Sequence, residues 1–480
     1  MLGARSYRDP QNFVLESDGQ WFRIAAPQSA RALNILRESP VYTDLVAAGK
    51  LLAFDALGGA ETAQLLEANQ ADLSRMRTQK ATPTAFRVDT INEITYPWEW
   101  PNFMLREAAS LTLELRLALL DIGLDLKDAS AFNVQFRGMN PVFMDLGSIE
   151  LWRPNPSWGA VRQFTEHFIN PLAVGSNDTL SSAEVWDLTR GRGLRSESAR
   201  SIMPKWLRRK PALLVLQAST KPNTRNKPAE VNFNADAQAN PELAMRATKS
   251  LTRKLQKHVD RLSPREHQTT WQTYGSREHY TSEQLDTKNA FAIDFVSRVS
   301  ADGLILDIGG NDGFTSKAII DSLGNPMIAM DPDAGALDML QGIAGSDAQV
   351  LAKLLPVRAD LINISLGSGL LGQEFTSLTD RIKPTGVICQ AVLHHIVITQ
   401  GVPMHLAVAA LAQFGAPLHI ELPLEEDQKV KLLLSQIPDW AGDYSLAALT
   451  DALSVFYTDV QVLGRTSEHR QIVEAHGLRS

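Results

Sequence analysis

The stretch LILDIGGNDGFTS, residues 304–316, decides the reading of this chain. A short apolar strand ends in Asp307 and runs into Gly309, Gly310, Asn311, Asp312 and Gly313, and a helix is due from Thr315. Glycines at a strand-to-helix turn let the backbone approach a ligand with no Cβ in the way. A pyrophosphate would need an unobstructed helix N-terminus. Asp312 puts negative charge there, so the turn suits a cationic ligand better than a phosphate.

Working outward, MIAMDPD at 327–333 supplies Asp331 at the end of the next strand, eighteen positions after Gly313. A carboxylate there accepts both hydroxyls of a ribose, as in dinucleotide folds. An apolar stretch to Asp360 follows, then VICQAVL, a helix near 404–414, LHIEL and a helix over 428–434. Strands alternating with helices predict an α/β fold with a doubly wound, Rossmann-like parallel sheet covered by helices on both faces.

On these residues the segment resembles the class I S-adenosylmethionine-dependent methyltransferase family. The resemblance implies that Asp307, Gly309, Gly310, Asn311 and Gly313 surround the methionine part of S-adenosylmethionine. It also implies that Asp331 holds the ribose and Asp360 meets the adenine amino group. More narrowly, WQTYGSREHYTSEQLDTKNAF (271–291), AVLHHIVI (391–398), LHIELPLEEDQKV (418–430) and DYS (443–445) resemble a nodulation-type methyltransferase subgroup. Upstream, ITYPWEWP, LKDASAFNVQFRG and VRQFTEHFINPL extend the likeness over most of the chain. DLGSIE at 145–150 departs from it, since a bulkier apolar residue is commoner than Gly147. By the same resemblance Tyr274, Tyr280 and Lys288 form a lid over the cofactor.

Methyl transfer is an in-line displacement, so the protein positions the acceptor and, for an oxygen or ammonium acceptor, removes a proton. His394 and His395 follow VICQAVL at the strand end where such chemistry belongs, and imidazole titrates near neutrality. The plain alternative is a cap or core histidine. Adjacent side chains rarely chelate one ion, so no metal site is expected. Glu421, at the end of LHIEL, is a second candidate. Glu425, Glu426 and Asp427 beyond it could orient an amine acceptor, but read better as a solvated acidic face.

In the upstream half, apolar residues spaced by three or four from Met104 to Ile122 predict a buried helix closed by Gly123. Val134 and Phe136, then Val142 and Met144, alternate around Gly138-Met139-Asn140 as a hairpin. Asp128 and Asn133 precede this hairpin and Asp145-Leu146-Gly147 follows it. The order resembles the catalytic loop and magnesium-binding Asp-Phe-Gly of protein-kinase-like phosphotransferases. Residues 1–90 show no Gly-rich phosphate loop and no Val-Ala-Ile-Lys strand, so an α+β kinase-like domain is expected to be degenerate.

The chain has 480 residues, 44% hydrophobic and 21% charged, which fits a folded protein of more than one domain. One cysteine, Cys389, excludes an internal disulfide. The N-terminal residues lack a signal-peptide core and no apolar run reaches membrane-spanning length, so a cytoplasmic protein with no membrane partner is expected. The net charge of -7 hides a basic middle, with 18 Lys/Arg against 5 Asp/Glu over 190–265. That stretch reads as a solvated linker, or as a site for an acidic partner, and less well for nucleic acid.

The organisation expected is a kinase-like domain over 1–200, a basic linker and amphipathic helix over 201–265, and a methyltransferase domain over 266–480. The function expected is O- or N-methylation of a small metabolite or natural product. A phosphotransferase or ATP-binding bifunctional protein, and a non-catalytic scaffold, are the alternatives.

Overall fold

The protein is described by a computed structural model that covers residues 9, 12–69, 82–154, 158–176, 180–203, 240–262, 281–364, 366–437 and 439–479. Tyr274, Tyr280 and most of the basic linker lie outside these described residues.

The upstream half opens with an antiparallel sheet of β1 (Asn12–Ser17), β2 (Gln20–Ala25), β3 (Phe54–Ala56) and β4 (Thr84–Val88), in the order β1-β2-β4-β3. Asp18 and Gly19 both take positive φ between β1 and β2, as a two-residue hairpin turn requires. Helices α1 (Pro27–Arg37), α2 (Pro40–Ala47) and α3 (Gly59–Ala68) accompany it. Helix α2 ends at Ala47, and Leu51 beyond it forms a bridge to Phe143.

The expected central helix is α4 (Asn102–Asp121), with Met104, Ala108, Leu111, Leu115 and Leu119 buried and Gly123 at φ 78 beyond its end. Strands β5 (Leu124–Leu126) and β8 (Ile149–Leu151) pair with one another, and β6 (Val134–Arg137) with β7 (Asn140–Phe143) forms the expected hairpin. The basic helix α5 (Pro241–Val259) packs on α4. There Arg116 Nη1 donates to Thr252 Oγ1 at 2.7 Å and Lys249 meets Asp121.

The downstream half is built on a seven-stranded sheet ordered β11-β10-β9-β12-β13-β15-β14. Five strands run parallel: β9 (Ile305–Ile308), β10 (Met327–Asp331), β11 (Leu354–Arg358), β12 (Gly386–Gln390) and β13 (Leu418–Pro423). Fully buried apolar runs such as Met327–Met330 are what a sheet covered on both faces demands. The covering helices are α6 (Ser282–Val299), α7 (Phe314–Leu323), α8 (Ala334–Ala344), α9 (Met404–Ala412), α10 (Gln428–Ser435) and α11 (Leu446–Phe456). Strands β14 (Tyr457–Ser467) and β15 (Arg470–Leu478) close the sheet as an antiparallel hairpin that inserts β15 beside β13. The order in which strands are added reverses between β9 and β12, and such a switch point forms a crevice at the carboxyl ends of its strands.

One apolar core runs through both halves. Met139 N–H donates to Leu351 O at 2.7 Å, and a Cβ on Gly138, whose φ is 59, would lie 2.4 Å from that oxygen. Asn102 Nδ2 and Phe103 N both donate to the Asp338 carboxylate, at 2.7 and 3.0 Å. Arg381 forms a buried ion pair with Glu99 and lies 4.2 Å above the Tyr96 ring, while Phe132 stacks on Phe375 at 5.0 Å. Among the described residues no helix is long and apolar enough to cross a membrane.

Candidate functional site

The crevice is framed by the turn after β9. Gly309 and Gly313 hold φ of 73 and 75, and an added Cβ would come within 2.3 Å of Val392 Cγ2 and 2.1 Å of Leu340 Cδ2. Asn311 between them also takes a left-handed φ of 47, a conformation asparagine tolerates better than most residues. Its N–H donates to Asp331 Oδ2 at 3.1 Å, while Asp331 Oδ1 accepts from Asp333 N at 2.9 Å. The carboxylate at the end of β10 thus anchors the turn that follows β9.

Asp307, Asp312 and Asp331 are all buried. Burial pushes the Asp331 carboxyl up to about 7, against the backbone amides of Asp333 and Asn311 that lower it. Burial likewise pushes Asp307 up to about 6, although the Ser316 hydroxyl, which donates at 2.7 Å, and Lys288 oppose it. Asp360 stands past β11, caps a short turn by accepting from Ile362 N at 3.2 Å, and is less buried than Asp307 and Asp331.

The strand expected through Leu393 stops at Gln390, and His395–Thr399 forms a π-helical turn. Ala391 bends the chain there at φ 57. His394 is 2% exposed with its Nδ1 lacking a hydrogen-bond partner among the described residues, and its ring lies 3.9 Å from that of His395. Burial, then His395, Lys288 and Lys429, hold His394 well below the usual imidazole range. Burial and Lys429 bring His395 down to about 4. Both rings are neutral at physiological pH.

Glu421 is fully buried within β13 rather than poised at its tip. Lys288 Nζ lies 3.1 Å from it, the Thr466 hydroxyl donates to it, and Arg470 stands 3.8 Å away. Lys288, expected in a lid, therefore reaches inward from α6. Asp427 pairs with Arg470 at 2.8 Å, while Glu425 and Glu426 are exposed.

Residues that sequence reasoning passed over complete the crevice. Thr315 Oγ1 lies 3.2 Å from Asn289 Oδ1 and 3.3 Å from Gln390 Oε1. Gln390 Nε2 meets His419 Nε2 at 3.2 Å, and His419 Nδ1 meets Glu474 Oε1 at 3.2 Å. Gln390 ends a strand beside the glycine turn, and that position was the available signal. His419 and Glu474 gave none, because the strand carrying Glu474 was not anticipated.

In the upstream half, Asn133 Nδ2 donates to Asp128 Oδ1 at 3.0 Å, and Met144 N donates to Asn133 O at 2.8 Å, which brings Asp145 next to them. Asp145 Oδ1 is 2.9 Å from Arg23 Nη2 and accepts from Gly147 N at 3.2 Å. Arg23 is buried on β2, and a Cβ on Gly147 would lie 2.7 Å from its Nη1. The glycine that departs from the subgroup pattern makes room for the arginine.

Among known proteins, the chain is similar to the nodulation protein NoeA of Rhizobium meliloti (strain 1021). The two are 28% identical over 461 residues, which is 94% of this chain and 91% of that protein. No protein-family model matches. Among solved structures, magnesium protoporphyrin IX methyltransferase (ChlM) from Synechocystis PCC 6803 with bound SAH aligns over 41% of this chain and 84% of its own. The TM-score is 0.29 and the identity 17%. The bifunctional kinase-methyltransferase WbdD aligns over 41% of this chain and 39% of its own, with TM-score 0.28 and identity 16%.

Proposed function

We propose that this chain is an S-adenosylmethionine-dependent methyltransferase that acts on an oxygen or nitrogen of a small metabolite or natural product. The observation that carries this reading is the glycine turn tied to Asp331 through Asn311 N–H at 3.1 Å. It joins a side-chain-free approach to a buried carboxylate at the switch point.

The residues present fit the cofactor. Gly309, Gly310, Asn311 and Gly313 form the tight turn that would meet its amino-acid part, Asp331 would offer oxygens to ribose hydroxyls, and Asp360 would stand on the adenine side. Asp307 and Asp331, both raised by burial, gain from a nearby positive charge. When bound, S-adenosylmethionine supplies an electrophilic methyl group on a sulfonium. His394, neutral and with a bare Nδ1, accepts the proton that an acceptor hydroxyl or ammonium must lose. Lys288 and Glu421 form a buried ion pair between α6 and β13. Calorimetry with S-adenosylmethionine tests the assignment, and absence of binding by the wild-type chain would sink it.

A second reading concerns the upstream half, for which we take the kinase-like resemblance as a degenerate one that grips the acceptor or a partner. The Arg23–Asp145 pair favours it, since a fixed guanidinium stands where a magnesium-holding carboxylate would need a metal. We keep the division into 1–200 and 266–480 as a proposal, with the part of the basic stretch 201–265 outside α5, which packs on α4, offered to an acidic partner.

A further inference from the structure

Behind the crevice a line of buried polar groups crosses the sheet. Arg298 Nη2 donates to Glu474 Oε1 and Oε2 at 2.9 and 2.8 Å. Glu474, 1% exposed, meets His419, which is 0% exposed, and His419 meets Gln390 at the end of β12. His476 Nε2 also lies 3.2 Å from Glu474, and the Phe295 ring stands 5.4 Å from that of His419. An alanine or leucine core would be cheaper than such a line, because each buried polar group costs free energy unless satisfied.

The chemistry of each member dictates the next. Burial alone would raise Glu474, but hydrogen bonds from His419, Arg298 and His476 bring its carboxyl down to about 2, so it only accepts. His419 Nδ1 therefore carries a hydrogen. His419 Nε2 then faces Gln390 Nε2 at 3.2 Å, an amide nitrogen that can only donate. Gln390 must then turn its nitrogen to His419 and its carbonyl oxygen to Thr315. At that point three oxygens converge: Gln390 Oε1, Asn289 Oδ1 and Thr315 Oγ1, with a single hydroxyl proton among them. Asp307 lies on the adjoining strand β9. A cluster with surplus acceptors and one donor calls for a ligand group rich in N–H.

We propose that Glu474 and His419 are positioning residues that lock the Gln390 amide, so that its Oε1 receives the ammonium group of the cofactor's amino-acid end. The inference rests on the crevice being the S-adenosylmethionine site. It assigns Gln390 to binding and explains why a histidine–carboxylate pair lies buried where no reacting atom reaches.

The test compares two ligands: S-adenosylhomocysteine, which carries the ammonium, and 5′-methylthioadenosine, which lacks it. Gln390→Leu and His419→Leu should each weaken S-adenosylhomocysteine about tenfold or more, leave 5′-methylthioadenosine within about twofold, and fail to add in the double variant. Gln390→Glu, which keeps an acceptor, should retain affinity and carries the test together with Gln390→Leu should His419→Leu not fold. Equal losses for both ligands, or no loss for either, would overturn this proposal and leave the site reading standing. A wild-type chain that binds neither ligand would overturn the site reading and this proposal with it.

Discussion

Lys288 Nζ on α6 lies 3.1 Å from Glu421 Oε2 on β13, with the two side chains only 13% and 0% exposed. Removing one member of such a pair leaves an uncompensated buried charge. Lys288→Met should therefore cost on the order of 3 kcal/mol in urea unfolding, and Lys288→Met/Glu421→Gln should recover part of it. A single variant as stable as the wild type would show that Thr466 and Arg470 suffice for Glu421.

Asp331→Ala should weaken S-adenosylmethionine binding by about tenfold or more, since the ribose loses a charged partner and the glycine turn loses its anchor. Asp307→Ala should be worse. Unchanged calorimetric affinity in Asp331→Ala would remove this residue from the site.

The raised carboxyls, about 7 for Asp331 and about 6 for Asp307, make the empty protein sensitive to pH. Unfolded, each titrates near ~4. Between that value and 7 the folded chain holds protons that the unfolded chain releases, so raising pH across this window weakens the fold. Asp331→Asn should accordingly be more stable than wild type at pH 8 and level with it below pH 4. Affinity for the cationic cofactor should rise over pH 5.5 to 8 as the carboxyls ionise. A denaturation midpoint that climbs with pH in both proteins would contradict the burial of Asp331.

His394→Ala should lower kcat by roughly a hundredfold or more with little change in cofactor affinity, as expected for loss of a general base. Because the imidazole is held well below its usual range, kcat should stay level down to about pH 5.5 wherever binding is saturated. A kcat that halves near pH 6.5 would point to an ordinary, exposed histidine.

Millimolar Mg-ATP should leave the melting temperature unchanged, since Arg23 already occupies Asp145. Asp145→Asn should leave methyl transfer nearly intact. An ATP-dependent shift in wild type that Asp145→Asn abolishes would make the phosphotransferase reading the leading one.

Much of the downstream fold was legible because its strands are continuous apolar runs and its turn residues are chemically marked. Asp307, Gly309, Gly313 and Asp331 sit in one linear pattern, and the structure gathers them at one turn. The final hairpin was not legible: β14 is largely exposed and shows no clean alternation, so Glu474 on its partner β15 could not be placed opposite His419. Glu421 was misjudged as a strand-tip group because its partners, Lys288 and Thr466, come from elements far away in sequence. In the upstream sheet, short strands and a Glu16–Trp21 pairing left no period long enough to recognise.

The tip of the β6–β7 hairpin bears on how such a chain can change. With Gly138 pressed to 2.4 Å of the Leu351 carbonyl at its would-be Cβ, and Met139 bonded to the same oxygen, the two halves meet here through backbone as well as through the side-chain contacts elsewhere. Recombination that swapped either half for a distant counterpart would have to preserve a bare glycine on one side and the path of the α8–β11 connection on the other. A change at this contact on one half must therefore be matched on the other, whatever the upstream half does.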